Sequence, residues 1–321
     1  MDAVTTVAEP DPAFRADVLA GLAASIPAVP ARWLYDRRGS ELFEAITRLP
    51  EYYPTRTETG LLERHSAEIA AMVGAGHAVV EFGSGSSAKT PILLRAVDPA
   101  ANVPIDISGD FLRESADALR GQFPDVPILP VEADFTRPID LPAEVADLPK
   151  LGFFPGSTIG NLVARTAVDL LRAMKETLGH GSRLVIGMDR IKPVDILLRA
   201  YDDAAGVTAA FNLNLLHRIN AELDGDIPVD AFRHRAIWND QLSRIEMHLE
   251  ALRDVEFTVS GESFGFRAGE TIHTENSHKY GYRDSRLLLR AAGWGLIGEW
   301  TDDQEWFSII LAEAEAPRFA P

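Results

Sequence analysis

The sequence predicts an α/β protein: a parallel sheet covered by helices on both faces, with a second, α+β domain built from the N-terminus and an insertion. Three observations predict it. Between residues 78 and 188 short apolar runs alternate with amphipathic stretches, the pattern of repeated strand–helix units. The first run opens into the turn Gly83-Ser84-Gly85. After Asp189 the alternation stops and a different pattern takes over.

Taken in order, residues 13–29 have apolar residues at helical spacing and are expected to form an amphipathic helix. Residues 40–48 predict a short helix capped by Ser40. Pro50 and Pro54 bracket an expected extended piece carrying Tyr52 and Tyr53, and 57–72 predicts another helix. Strands are expected at 78–82, 103–107, 126–131, 151–154 and 183–188, with helices at 89–96, 109–122 and 164–177. Beyond them, 192–222 and 240–253 suggest helices, and 256–260, 263–267 and 270–275 suggest strands. Residues 283–292 return to helix, and 296–300 and 306–311 form a closing pair of strands. The expected domains are 57–190 with 283–321, and 1–56 with 191–282.

Composition narrows the function classes. The balance of 31 basic and 48 acidic residues gives a net charge of −17, a field that repels phosphate backbones, so a nucleic-acid partner is not expected. There is no cysteine, which excludes disulfides, thiol catalysis and cysteine-ligated metals. The opening MDAVTTVAEPDP is acidic and lacks the apolar stretch of a signal peptide, and no run is long and apolar enough to span a membrane. A cytoplasmic location is the expectation. No motif fixes the oligomeric state, and a monomer is the default.

The chemistry concentrates at expected strand ends. The turn at Gly83 lets backbone approach a ligand closely, but it lacks the third glycine of a dinucleotide fingerprint and the GK[ST] ending of a P-loop. A diphosphate ligand is therefore disfavoured. Asp106 ends the second run, where an acid accepts hydrogen bonds from ribose hydroxyls. Asp134-Phe135 follows the third, where an acid and a ring can bracket an adenine. Each acid alone is better read as a surface acid at a strand end. Together they mark successive strand C-termini, where open α/β sheets bind ligands, and they suit the cationic, phosphate-free S-adenosylmethionine. A nicotinamide-dependent oxidoreductase is the distant alternative.

Asn161, in GSTIGNL after the fourth run, suits either a helix cap or the grip on an amino acid's carboxylate or amine. Tyr35, Tyr52, Tyr53 and Tyr201 suit core positions or a small polar pocket. In TIHTENSHKY a regular strand would put His273, Glu275 and Ser277 on one face. With His273 and Glu275 as the only metal ligands in view, and no HExxH pattern, no metal site is expected. His217, His234, His248 and His278 are taken as ordinary surface or core histidines.

YDRRGSELFEAITRLPEYYPTRTE, EFGSGSSAKT, PIDIS, FFPGSTIGNL, AYDDAAGVTAAFN and TENSHKY occur in this order. Together they resemble the L-histidine Nα-methyltransferases of ergothioneine biosynthesis, over nearly the whole chain. The resemblance implies a Rossmann-like methyltransferase domain, S-adenosylmethionine as methyl donor, and three successive methyl transfers to L-histidine. It implies cofactor contacts at Gly83, Lys89, Asp106, Asp134 and Phe135, with Phe43 and Gly156 nearby. It implies substrate contacts at Tyr52, Asn161, Tyr201, Glu275 and Ser277, with Tyr35 close to the amine, and it ties Met247 to histidine over bulkier aromatic substrates. Asn161 and Tyr201 would hold the carboxylate, Tyr35 would orient the amine, and Glu275 and Ser277 would hold the imidazole. A sibling acting on tryptophan or tyrosine is the nearest alternative.

Overall fold

The computed structural model describes residues 11–85 and 88–316. The opening segment expected to lack a signal peptide, and Ser86-Ser87 of the glycine turn, fall outside those residues. The chain divides into two compact units, one of Pro54–Lys192 with His278 onward, the other of residues up to Tyr53 with Pro193–Ser277.

The elements run α1 (Pro12–Leu22), α2 (Arg37–Thr47), α3 (Tyr53–Val73), β1 (Ala78–Phe82), α4 (Thr90–Val97), β2 (Ala101–Asp106), α5 (Gly109–Gln122) and β3 (Val131–Glu132). There follow β4 (Lys150–Phe154), α6 (Ala164–Leu178), β5 (Arg183–Asp189), α7 (Val194–Tyr201), α8 (Val207–Glu222), β6 (Phe232–Asn239) and β7 (Arg244–Ala251). The chain closes with β8 (Val255–Val259), β9 (Glu262–Phe266), β10 (Thr271–His278), α9 (Tyr282–Ala291), β11 (Trp294–Thr301) and β12 (Phe307–Ala314).

In the larger unit seven strands make one sheet, in the order β11-β12-β5-β4-β1-β2-β3. β1 to β5 run parallel to one another; β12 runs antiparallel to β5, and β11 antiparallel to β12. The sheet is therefore mixed, not wholly parallel. Every residue of β1 is buried, as a central strand covered on both faces requires. Val80 and Phe82 pack on one side with Leu170, Leu171 and Leu289 of α6 and α9. Val79 packs on the other with Leu61, Leu62 and Leu93 of α3 and α4. Chain order reverses between β1 and β4, the switch point at which α/β sheets bind ligands. Where β5 ends, Tyr280 N–H donates to the Asp189 carbonyl (2.9 Å), and the buried Asp189 carboxylate accepts from Lys192 (2.5 Å) and Lys279 (2.6 Å).

In the smaller unit β10-β7-β6 form one sheet and β8-β9 another. Several local expectations change here. α1 stops at Leu22 because the chain doubles back: a Cβ at Gly21 would lie 1.9 Å from the Ala28 carbonyl oxygen. α2 is capped by Asp36, which accepts from Gly39 N–H (2.7 Å), and not by Ser40. The expected 192–222 helix breaks into α7 and α8, where Asp203 accepts from the N–H groups of Val207 and Thr208. The segment 240–253, read as helix, is β7, paired with the unforeseen β6 in a register that sets Ala236 against Met247.

Two more changes fall at the larger unit. α3 begins at Tyr53 rather than 57, with Pro54 in the first turn, where its missing N–H costs nothing. The third strand shrinks to Val131–Glu132, and Ile128 makes only an isolated bridge to Asn102.

Candidate active site

In the larger unit, the left-handed Gly83 (φ 70°) sits so close to Phe135 that a Cβ would lie 3.3 Å from its ring. Phe135 in turn meets Phe82 and Phe154 edge-on, with centroids 6.2 and 6.1 Å away. Asp106 accepts from Gly85 N–H and Ser108 N–H (both 3.0 Å), tying the end of β2 to the glycine turn. Asp134 accepts from Thr136 N–H (3.0 Å) and its hydroxyl (2.6 Å). Gly83, Asp106 and Asp134-Phe135 are thus held by local structure at neighbouring strand ends.

Lys89 and Gly156 meet at a residue that the sequence did not single out. Glu58 of α3 is 1% exposed; it accepts from Lys89 Nζ and from Gly156 N–H (2.9 Å). Gly187 on β5 makes room for it, since a Cβ there would lie 2.0 Å from Glu58 Oε1. The available signal was its place as the last residue of YYPTRTE. Asn161 ends a short 3-10 turn, Thr158–Asn161. It does not cap α6, whose cap position is Val163 with no side-chain bond.

In the smaller unit, Tyr35, Phe43, Tyr52, Tyr201, Glu275 and Ser277 come together. The Tyr35 hydroxyl donates to Glu275 Oε1 (3.2 Å), and the Tyr201 and Ser277 hydroxyls are 2.7 Å apart. Phe43 stands edge-on to Tyr35 and Tyr52 (5.5 and 6.3 Å), and Tyr52 to Tyr201 (6.0 Å). Phe43, expected beside the cofactor, is therefore part of an aromatic cluster with these tyrosines. Phe211, unremarked within AYDDAAGVTAAFN, completes the cluster 5.4 Å from Tyr35. Met247 is buried on β7, and its carbonyl accepts from the Thr274 hydroxyl (3.0 Å).

β10 corrects the single-face expectation. Its buried positions are Ile272 and Thr274, then Glu275 and Ser277, so the alternation changes phase between Thr274 and Glu275. Glu275 and Ser277 meet Tyr35 and Tyr201, while His273 stacks on His248 (4.7 Å between centroids).

Burial, reinforced by the Glu275 carboxylate, raises the Tyr35 pKa well above its ordinary value. Tyr35 thus stays a hydroxyl at neutral pH and donates to Glu275. His234, taken as ordinary, supports the cluster: burial lowers its pKa, its Nε2–H donates to the Tyr201 carbonyl (2.7 Å) and its Nδ1 accepts from Asn212 (3.0 Å).

A glycine turn and acids at the ends of successive parallel strands, on a sheet closed by an antiparallel pair, define the protein as a Rossmann-like S-adenosylmethionine-dependent methyltransferase. The chain belongs to the family described as histidine-specific methyltransferase, SAM-dependent, which matches residues 14–314. It is 42% identical to a histidine N-alpha-methyltransferase of Mycolicibacterium smegmatis, over 94% of both chains. It is 40% identical to a protein of the same name in Mycobacterium tuberculosis, again over 94% of both. Ergothioneine biosynthesis protein 1 of Neurospora crassa is 30% identical over 89% of this chain, which spans 33% of that longer protein. Among solved structures, a possible exported protein from Bordetella parapertussis shares the fold, with a TM-score of 0.51 at 14% identity, covering 95% of this chain and 88% of that one. Among the described residues no helix is long and apolar enough to cross a membrane.

Proposed function

We propose that the protein methylates the α-amino group of L-histidine three times, giving N,N,N-trimethylhistidine for ergothioneine biosynthesis. The observation that carries the reading is the buried pairing of Glu275 with Tyr35 and of Ser277 with Tyr201. A carboxylate and a hydroxyl suit the two nitrogens of an imidazole, and a neutral aromatic ring would leave the carboxylate's charge unmet. The names of the mycobacterial relatives support the same acceptor.

The larger unit suits the methyl donor. Asp106 fits ribose hydroxyls, Asp134-Phe135 fits adenine, and Lys89 fits the donor's carboxylate, while Glu58 offsets positive charge beside Gly156. When bound, S-adenosylmethionine supplies an activated methyl group, so the protein's task is alignment. In each transfer the nitrogen lone pair forms the N–C bond as the S–C bond breaks. The first two products are ammonium ions that release a proton before the next transfer; the third is quaternary and keeps its charge.

Tyr35, a hydroxyl at neutral pH, orients the amine through a hydrogen bond, and the released proton goes to water. Tyr201 takes the carboxylate. The rings of Phe43, Tyr52 and Phe211 offer aromatic faces to the growing cation. A monomer in the cytoplasm fits a reaction on two small metabolites.

The test is incubation with S-adenosylmethionine and each amino acid in turn, read by mass. Histidine heavier by three methyl groups is expected. Methylation of tryptophan or tyrosine in preference to histidine would overturn the reading.

A further inference from the structure

Glu246, His248 and His273 stand apart from the methyl-transfer cluster, on the polar side of β7 and β10. We propose that they form a binding site for a divalent transition-metal ion of the zinc class, independent of the methyl-transfer reading. One ligand atom from each residue lies within 4.8 Å of the others.

The bonds around the triad assign those atoms. His248 Nδ1 faces the Thr271 hydroxyl (3.2 Å), whose oxygen can accept from Nδ1–H and leave the Nε2 lone pair for a metal. His273 Nε2–H donates to the Glu275 carbonyl (3.1 Å), which leaves Nδ1 with its lone pair. Glu246 Oε1 accepts from Arg244 Nε (2.7 Å) and Asn239 (2.9 Å), leaving Oε2, which lies 3.2 Å from His248 Nε2. Each ligand thus has one atom committed to an outer partner, the arrangement that orients residues around metals.

The neighbouring ion pairs agree with this assignment. Arg233 and Arg235 share the Glu250 carboxylate, and Arg244 holds Oε1 of Glu246, which turns Oε2 towards the histidines. Tetrahedral zinc with bonds of about 2.0–2.1 Å needs ligand atoms about 3.3 Å apart, which side-chain rotation can supply. Two imidazoles and one carboxylate favour zinc, copper or nickel over magnesium or calcium, with water in the remaining position. Because His273 also holds the Glu275 carbonyl, a bound ion would stiffen β10 where its alternation changes phase.

The experiment uses the full chain, untagged and freed of metal by chelation, titrated with zinc chloride in a calorimeter. One zinc per chain is expected, with affinity at least tenfold weaker in His248→Ala and in His273→Ala. Absence of saturable binding, or binding unchanged by both substitutions, would overturn the proposal. X-ray absorption at the zinc edge of the unaltered chain decides even where a variant fails to fold. Scattering from two imidazoles is expected, and oxygen ligands alone would overturn the site.

Discussion

The Tyr201 and Ser277 hydroxyls lie 2.7 Å apart, joining the last residue of α7 to the buried side of β10. Tyr201 is fixed from behind by His234, which donates to its carbonyl. Tyr201→Phe removes one hydroxyl and keeps the ring. A neutral hydrogen bond is worth about 0.5–1.5 kcal/mol, so the KM for histidine should rise several-fold. Adenosylmethionine binding, measured by calorimetry, should not change.

Glu275 decides selectivity under the same reading. Glu275→Ala should lower the preference for histidine over phenylalanine, as a ratio of kcat/KM, by about tenfold to a hundredfold, the scale of a charged hydrogen bond at about 1.5–3 kcal/mol. Equal preference before and after would remove Glu275 from ring recognition.

Asp106 tests the donor side. Asp106→Asn keeps the shape but loses the charge that meets Gly85 N–H and, in the proposed donor site, would meet ribose hydroxyls. The adenosylmethionine Kd, by fluorescence or calorimetry, should rise about tenfold, within the range for a charged partner.

The pH profile tests Tyr35. Its pKa lies well above the usual tyrosine value, so it is not the group deprotonated near neutrality. kcat/KM should climb with pH as the substrate amine loses its proton, and Tyr35→Phe should lower the curve without moving its midpoint. A midpoint that moves would make Tyr35 the base.

Lys192 gives a stability prediction. Burial lowers its pKa from 10.5 to about 8, with Asp189 opposing the fall. Between those values the unfolded chain holds more of this proton than the folded one, so this group's contribution to stability rises with pH across that window. Denaturant titrations at pH 7.5, 9 and 10 should show a stability rise in the wild type relative to Lys192→Met, whose own pH dependence lacks this term. No difference in slope would mean that Lys192 titrates normally.

The alternating half of the fold was legible because its strands are buried on both faces and read as continuous apolar runs. β7 was not. RIEMHLEA is rich in helix-favouring residues, yet Ile245, Met247, Leu249 and Ala251 recur with the period of a strand, and its partner β6 carries too many polar residues to announce itself. Glu275, Ser277 and Tyr201, which the structure brings together with Tyr35, could be singled out because their motifs are distinctive. Glu58 escaped because a lone carboxylate in a helix looks like solvent-facing charge until Gly156 and Lys89 are seen beside it. The phase change in β10 has no sequence marker at all: Thr274 and Glu275 are both buried, which a periodic pattern cannot foretell.

The chain leaves the large sheet just after Asp189 and comes back at Tyr280, whose N–H bonds the Asp189 carbonyl. Exit and return therefore stand side by side, stapled by one carboxylate and two lysines. The two lysines lie just inside that exit and return, so the seam is closed by residues at its own edge. The long excursion between exit and return thus leaves the sheet's last parallel strand closed at its end, with the antiparallel β12 free to pair along it.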